Sequence, residues 1–213
     1  MSYKETFYPE SIFGGYTDID GTLVFYARIN ALLSPEFTVL DVGCGRGAYK
    51  VDPVTARRNL RIIKGKVKKV IGIDVDSFAG TNPYIDEFIQ IYDNGWDVVK
   101  NSIDLIICDS VLEHIAEPDL FYSEVFRVLR NGGYLCIRTA NSWNYITFFS
   151  KFIPNKHHSR VLKRVQDHRS EEDVFPTHYR CNTITKLRSL LNNYGNDHVV
   201  YGCLLYTSPS PRD

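Results

Sequence analysis

Residues 39–50 read Val-Leu-Asp-Val-Gly-Cys-Gly-Arg-Gly-Ala-Tyr-Lys, and this stretch limits what the chain can become more than any other. Val39, Leu40 and Val42 form a short apolar run of strand character. Gly43, Gly45 and Gly47 on alternate positions then turn it sharply into whatever follows. Three glycines this close cost backbone entropy, so they belong where a bulky or charged group nearly touches the main chain. As a bare pattern the loop is ambiguous, because Gly43-x-Gly45-x-x-Ala48 also satisfies the dinucleotide-binding fingerprint. Asp41 argues against a dinucleotide. A pyrophosphate would lie at the N-terminus of the next helix, where an acid two positions before the first glycine repels it. A cofactor carrying positive charge there gains instead. Asp74 closes the run Val70-Ile71-Gly72-Ile73-Asp74, where a second strand ends, and is placed to accept both hydroxyls of a ribose.

Asp-x-Gly-x-Gly-x-Gly followed by such an acid resembles the class I S-adenosylmethionine-dependent methyltransferases. The likeness continues through Ile-Asp-Leu-Ile-Ile-Cys-Asp at 103–109, Val-Leu-Glu-His-Ile at 111–115 and Arg-Val-Leu-Arg-Asn-Gly-Gly-Tyr-Leu at 127–135. These look like that family's fourth strand, its following loop, and the helix, turn and fifth strand, in the right order. The resemblance implies S-adenosyl-L-methionine as the cofactor and no metal. Gly43, Cys44, Gly45 and Gly47 would cradle its methionine end, with Asp41 favouring the nearby positive charge. Asp74 and Val75 would meet the ribose, and Asp93 with Asn94 the adenine amino group. Asp109, at the carboxyl end of the fourth strand, completes the set. The continuation Asp93-Asn94-Gly95-Trp96-Asp97 departs from the family's acid–apolar–proline pattern, so Asp97 is a second candidate for the adenine. Trp96 either covers the adenine face or is a core tryptophan.

Strand and helix patterns alternate along the chain, which predicts an α/β, Rossmann-like, doubly wound and mostly parallel sheet. Helices are expected over 21–33, capped by Asp20, over 57–64 after Pro53, from Pro118 to the stop at Asn131-Gly132-Gly133, and over 183–193. Strands are expected over 67–75, 88–92, 105–108 and 134–139, and a sixth begins at 198–202. We read one methyltransferase domain over 1–202. Residues 1–37 form an N-terminal cap segment, 38–140 the cofactor-binding core, 141–182 an insertion covering the acceptor pocket, and 183–202 the last helix and strand. Residues 203–213 show no alternation and read as a non-native tail, leaving the sheet without its last antiparallel strand.

Lys plus Arg and Asp plus Glu number 25 each, so net charge gives no argument for a polyanionic partner. The five cysteines form no CxxC pair and read as reduced core thiols. The first residues lack an apolar signal region, and no run approaches the length of a membrane span, so a cytoplasmic protein is expected. Residues 109–112 are Asp-Ser-Val-Leu rather than the Asn/Asp-Pro-Pro-aromatic motif of amino-directed nucleic-acid methyltransferases, and no Pro-Cys dipeptide occurs. Both absences point away from nucleic acid, and the Val-Leu-Glu-His-Ile loop with the Arg-Val-Leu-x-x-Gly-Gly turn resembles the branch of the family that acts on small molecules, lipids and sugars, which implies a small-molecule acceptor. The basic residues Lys156, His157, His158, Arg160, Lys163, Arg164, His168 and Arg169 suit an anionic one, such as a phosphorylated or lipid-linked glycan. Their aromatic neighbours leave peripheral membrane contact open. A hydroxyl acceptor must also lose its proton during attack. His114 is the best placed base and His178 the second, against the alternative that His114 braces its loop. Two rival functions remain: a non-catalytic S-adenosylmethionine-binding protein of this fold, and a nicotinamide-dependent oxidoreductase, which would leave the later family-like segments unexplained.

Overall fold

Five stretches of the chain form strands: β1 (Thr38–Val42), β2 (Lys69–Asp74), β3 (Glu87–Gln90), β4 (Ile103–Asp109) and β5 (Leu129–Arg138). They make one sheet in the order β3-β2-β1-β4-β5. β1 pairs in parallel with both β2 and β4, and β2 in parallel with β3, with Asp41 opposite Gly72 and Ile107. The order reverses at β1–β4, the switch point beside which open α/β sheets bind ligands at their carboxyl ends. The computed structural model describes residues 3–92, 95–141, 176–194, 197–200 and 202. The Rossmann-like sheet expected from the alternation is the one observed.

The described residues gather into two compact units. The first contains the chain up to Cys108 together with Glu124–Ile137, and the second contains Asp109–Ser123 and Arg138–Gly202. In the first, after α1 (Tyr3–Phe7), one core packs Tyr26 and Ile29 of α2 (Gly21–Leu32) with Val39, Val70, Leu105 and Ile107 of the sheet. Residues 103–108 of β4 are all buried, as a central parallel strand covered on both faces requires. Asp20 caps α2 as expected, its Oδ1 accepting from the Thr22 and Leu23 amides at 3.0 Å each. Its Oδ2 meets Arg57, which also grips Asp52, so the cap of α2 and the lead-in to α3 (Thr55–Arg61) share one cation.

Connections deviate where turns override periodicity. α3 is two turns at most, preceded by a 3-10 turn over Ala48–Val51 that absorbs the long β1–β2 interval. The crossover from β2 to β3 is only a 3-10 turn, Ser77–Thr81, capped by Asp76. After α4 (Pro118–Val128), β5 starts at Leu129, five residues before the expected Tyr134. The glycine pair therefore lies inside the strand. Gly132 has φ 76, and a Cβ on Gly133 would stand 2.9 Å from the Asp104 carbonyl, so the chain crowds β4 there.

The second unit holds a 3-10 turn, Leu112–His114, after β4 and the last helix, α5 (Ile184–Asn193), capped by Thr183 as expected. His198–Val200 form no strand, contrary to the expected sixth one: Val199 is 87% exposed and the stretch makes no ladder. Residues 142–175 of the expected insertion and the tail 203–213 lie outside the described residues.

Candidate active site

In the first unit, the turn after β1 is held by its own chain rather than by its glycines alone. The Gly43 and Cys44 amides donate to the Ile73 carbonyl of β2, at 2.8 and 3.3 Å. Cys44 tucks under the sheet because Gly72 has no side chain; a Cβ there would stand 2.7 Å from its Sγ. Burial pushes the Cys44 thiol well above its ordinary range, and the charges of Asp41 and Asp74 add to the rise. Cys44 thus braces the turn from below.

Asp74 is buried at the end of β2, with Oδ2 accepting the Gly45 amide and Oδ1 the Asp76 amide, both at 2.9 Å. One acid therefore ties the glycine turn to the strand beside it while its remaining lone pairs stay available to hydroxyls. Around it lie large exposed apolar side chains: Val75 at 56%, Phe78 at 64% and Tyr92 at 74%. Arg46 crosses from the glycine turn to bond Asp76 and to lie 5.2 Å from the Phe78 ring centroid.

The three glycines divide the work. All have positive φ, at 66, 52 and 70 for Gly43, Gly45 and Gly47. At Gly45 a Cβ would meet nothing within 4 Å, so open space borders the main chain beside Asp74. At Gly47 a Cβ would stand 2.6 Å from Asn82 Oδ1 and 3.2 Å from Tyr84. The room at Gly47 is taken by the protein itself. Asn82 is buried, donates from Nδ2 to the Cys44 and Gly45 carbonyls, and accepts the Tyr84 amide.

Asp41 shares a pocket with Tyr26, Tyr49, Arg61 and Tyr84. The cation near it is the chain's own: Arg61 lies 4.5 Å from the Tyr49 ring centroid and 5.6 Å from that of Tyr26. Burial raises the Tyr49 hydroxyl well above its ordinary range, with Asp41 adding and Arg61 opposing. Asn82, Tyr49, Tyr84 and Arg61 escaped the sequence reading. Asn82-Pro83 reads only as a helix breaker and Arg61 only as one of a basic run. The long interval after Gly47 was the sole hint of Tyr49. Trp96 is buried in the same unit, its amide donating to Glu124 and its carbonyl accepting from Arg127. Asp93 and Asn94 lie outside the described residues.

In the second unit, Asp109 is gripped by the Arg138 fork, with bonds of 2.7 and 2.8 Å. Ser110 follows at φ 61, a left-handed conformation that side chains avoid, its amide donating to the Arg138 carbonyl. The Val-Leu-Glu-His-Ile loop and the segment returning before α5 hold each other. The Glu113 carbonyl accepts the His178 and Tyr179 amides at 2.7 and 3.1 Å, and His114 Nδ1 lies 2.9 Å from the Pro176 carbonyl. Since a carbonyl only accepts, Nδ1 carries the proton and Nε2 is the basic nitrogen. His178 is thus joined to the loop through its backbone. Cys181 is buried beside them. Burial pushes its thiol up to about 11, with Lys186 opposing and Glu113 adding.

A parallel sheet bearing a braced glycine turn and a buried acid at adjacent strand ends defines a protein of the Rossmann-like class. More narrowly, the chain belongs to the methyltransferase-domain family, whose sequence model matches residues 22–199. A Mycolicibacterium smegmatis protein described as an S-adenosylmethionine-dependent methyltransferase is 30% identical over 112 residues, which cover 48% of this chain and 38% of that relative. A crystal structure of an S-adenosylmethionine-dependent methyltransferase from Thermotoga maritima shares the fold at TM-score 0.53 and 16% identity, over 83% of this chain and 72% of that one. A methyltransferase-fold chain from Bacillus halodurans aligns at TM-score 0.50 and 21% identity, over 81% and 68%. The cofactor that membership implies is S-adenosylmethionine. The open main chain at Gly45, the Asp74 carboxylate and the exposed apolar rim around it fit its amino-acid, ribose and base parts.

Proposed function

We propose that the protein moves a methyl group from S-adenosylmethionine to a small-molecule acceptor. The observation that carries this reading is the pairing of Gly45 with Asp74: uncovered main chain, and a buried acid bonded to it at 2.9 Å. When bound, S-adenosylmethionine supplies a methyl group already activated on a sulfonium. Gly43, Cys44 and Gly45 would hold its amino-acid end, Asp74 and Val75 its ribose, and Asp93 with Asn94 its adenine. Gly47 acts through Asn82, and Asp41 acts through its pocket with Arg61, by holding the turn in shape. Asp109, paired with Arg138, is a further cofactor candidate, and Trp96 would support the adenine end from the core. His114 takes the acceptor's proton at Nε2, oriented by the Pro176 carbonyl, and His178 keeps that loop in place. Positioning of this kind supplies about 7–11 kcal/mol in well-oriented systems.

The finer reading of the acceptor as an anionic glycan or lipid-linked molecule draws on residues 156–169, in sequence alone. Calorimetry with S-adenosylmethionine against NADH, followed by S-adenosylhomocysteine release across an acceptor library, tests the proposal. Binding of NADH alone overturns it, and binding of S-adenosylmethionine without turnover by any acceptor makes this a binding protein. Gly45→Ala separates binding from folding. It costs about 1–2 kcal/mol of stability through its φ yet removes cofactor binding, because the methyl group fills the open side of the turn.

A further inference from the structure

The first unit settles its buried acids with its own groups. Asp20 is paired with Arg57, Asp104 with Arg130 and the Thr38 amide, and Asp74 with two amides. In the second unit Asp109 has Arg138. Glu113 stands apart. It is 8% exposed, its Oε2 accepts only the Thr139 hydroxyl at 2.7 Å, and no described residue bonds Oε1 or forms an ion pair with it. Removing a carboxylate from water against one neutral donor is costly unless something else supplies charge or hydrogen bonds.

The next residue along the chain of bonds has the same need. Asn182 is 1% exposed and gives Nδ2 to Thr139 Oγ1 at 2.5 Å. Thr139 has one proton, already committed to Glu113, so its lone pairs must face the amide NH2. This fixes the Asn182 orientation. Asn182 Oδ1 is then buried with no partner. A relay of three side chains thus ends in a buried acceptor with no partner and begins at a carboxylate oxygen that no described residue bonds. Glu113 Oε1, unlike Asn182 Oδ1, keeps some contact with solvent and is open to a ligand, and the loop that carries it is held where its carbonyl accepts the His178 and Tyr179 amides. A ligand filling both places must bring donors, and one that also balances the charge is a cation.

We propose that Glu113 and Asn182 form a recognition site for a protonated amine carried by the methyl acceptor, one residue from the His114 ring. The inference rests on the methyltransferase reading and narrows it: the part of the acceptor near His114 is amine-bearing, whatever its distant end carries. Thr139 is the positioning residue that aligns the two acceptors.

The test uses three probes matched in size, 2-phenylethylamine, 2-phenylethanol and phenylacetate, titrated calorimetrically into the full chain with and without S-adenosylhomocysteine. The amine is expected to bind about 10-fold or more tightly than the alcohol, and phenylacetate to bind most weakly. Glu113→Gln keeps the shape and removes the charge. It should weaken the amine about 10-fold or more while leaving the S-adenosylhomocysteine affinity within about twofold. Equal or tighter binding of the alcohol or carboxylate, no binding of the amine, or an amine affinity untouched by Glu113→Gln in a folded variant overturns the site. If Glu113→Gln does not fold, the ranking of the three probes on the unaltered chain decides. Failure of S-adenosylhomocysteine to bind while the amine preference holds would count against the methyltransferase reading and not against this site.

Discussion

Replacing Gly47 by alanine asks whether this glycine serves a ligand or the protein. A φ of 70 costs an alanine about 1–2 kcal/mol. Its Cβ would also meet Asn82 Oδ1 at 2.6 Å and Cγ at 3.1 Å, so Asn82 must leave its place. Asn82 holds the Cys44 and Gly45 carbonyls at 3.0 and 3.1 Å and the Tyr84 amide at 3.0 Å. At about 1 kcal/mol for each net hydrogen bond, its displacement costs about 3 kcal/mol. Gly47→Ala should therefore destabilise by about 4–5 kcal/mol, and Asn82→Ala by about 3. In the double variant the clash with Asn82 is gone, and the φ strain with a 3.2 Å contact to Tyr84, which a small ring shift relieves, adds to the lost bonds. The total should then be about 4–5 kcal/mol, which leaves a coupling of about 3. Urea unfolding at 25 °C, followed by circular dichroism and tryptophan fluorescence to check for one transition, measures all four corners. Additivity within about 0.5 kcal/mol would refute the packing argument and return Gly47 to the ligand.

Three further outcomes are expected. Burial opposes ionisation of Asp52, yet the bonds from Arg57 and the Val54 amide win and hold its carboxyl below the usual range. The stability this contributes is present at neutral pH and lost as pH falls through the folded-state value, so Arg57→Met should lower the urea midpoint at pH 7 and much less below about pH 4; an undiminished difference in acid refutes it. Asp104→Ala should cost about 2–3 kcal/mol, because it removes the 2.6 Å bond to the Thr38 amide from the sheet interior, whereas Arg130→Ala, on a side chain 47% exposed, should cost under about 1. Equal losses in urea titrations would contradict that asymmetry. Burial raises the thiols of Cys136 and Cys181 to about 11 and that of Cys44 further still. Iodoacetamide at pH 7.5 should leave all three unmodified by peptide mass mapping while the chain is folded, and rapid labelling of Cys44 would show that the glycine turn opens.

The alternation of short apolar runs with capped helical stretches was enough to specify a parallel α/β sheet, since strand burial, N-caps such as Asp20 and turn glycines act within a few residues of themselves. The Gly43–Asp74 pairing was legible for a related reason: its parts are each defined by position at a strand end. Tertiary structure decided which groups use those parts. Nothing in the sequence brings Asn82 against Gly47, Arg61 against Tyr49, or Asn182 through Thr139 to Glu113, because residues separated by about 35, 12 and 69 positions meet only once the strands are ordered. Hydrophobic periodicity records which face of an element is buried. It does not record which polar group will need a partner there, and at Glu113 that need is what points to the ligand.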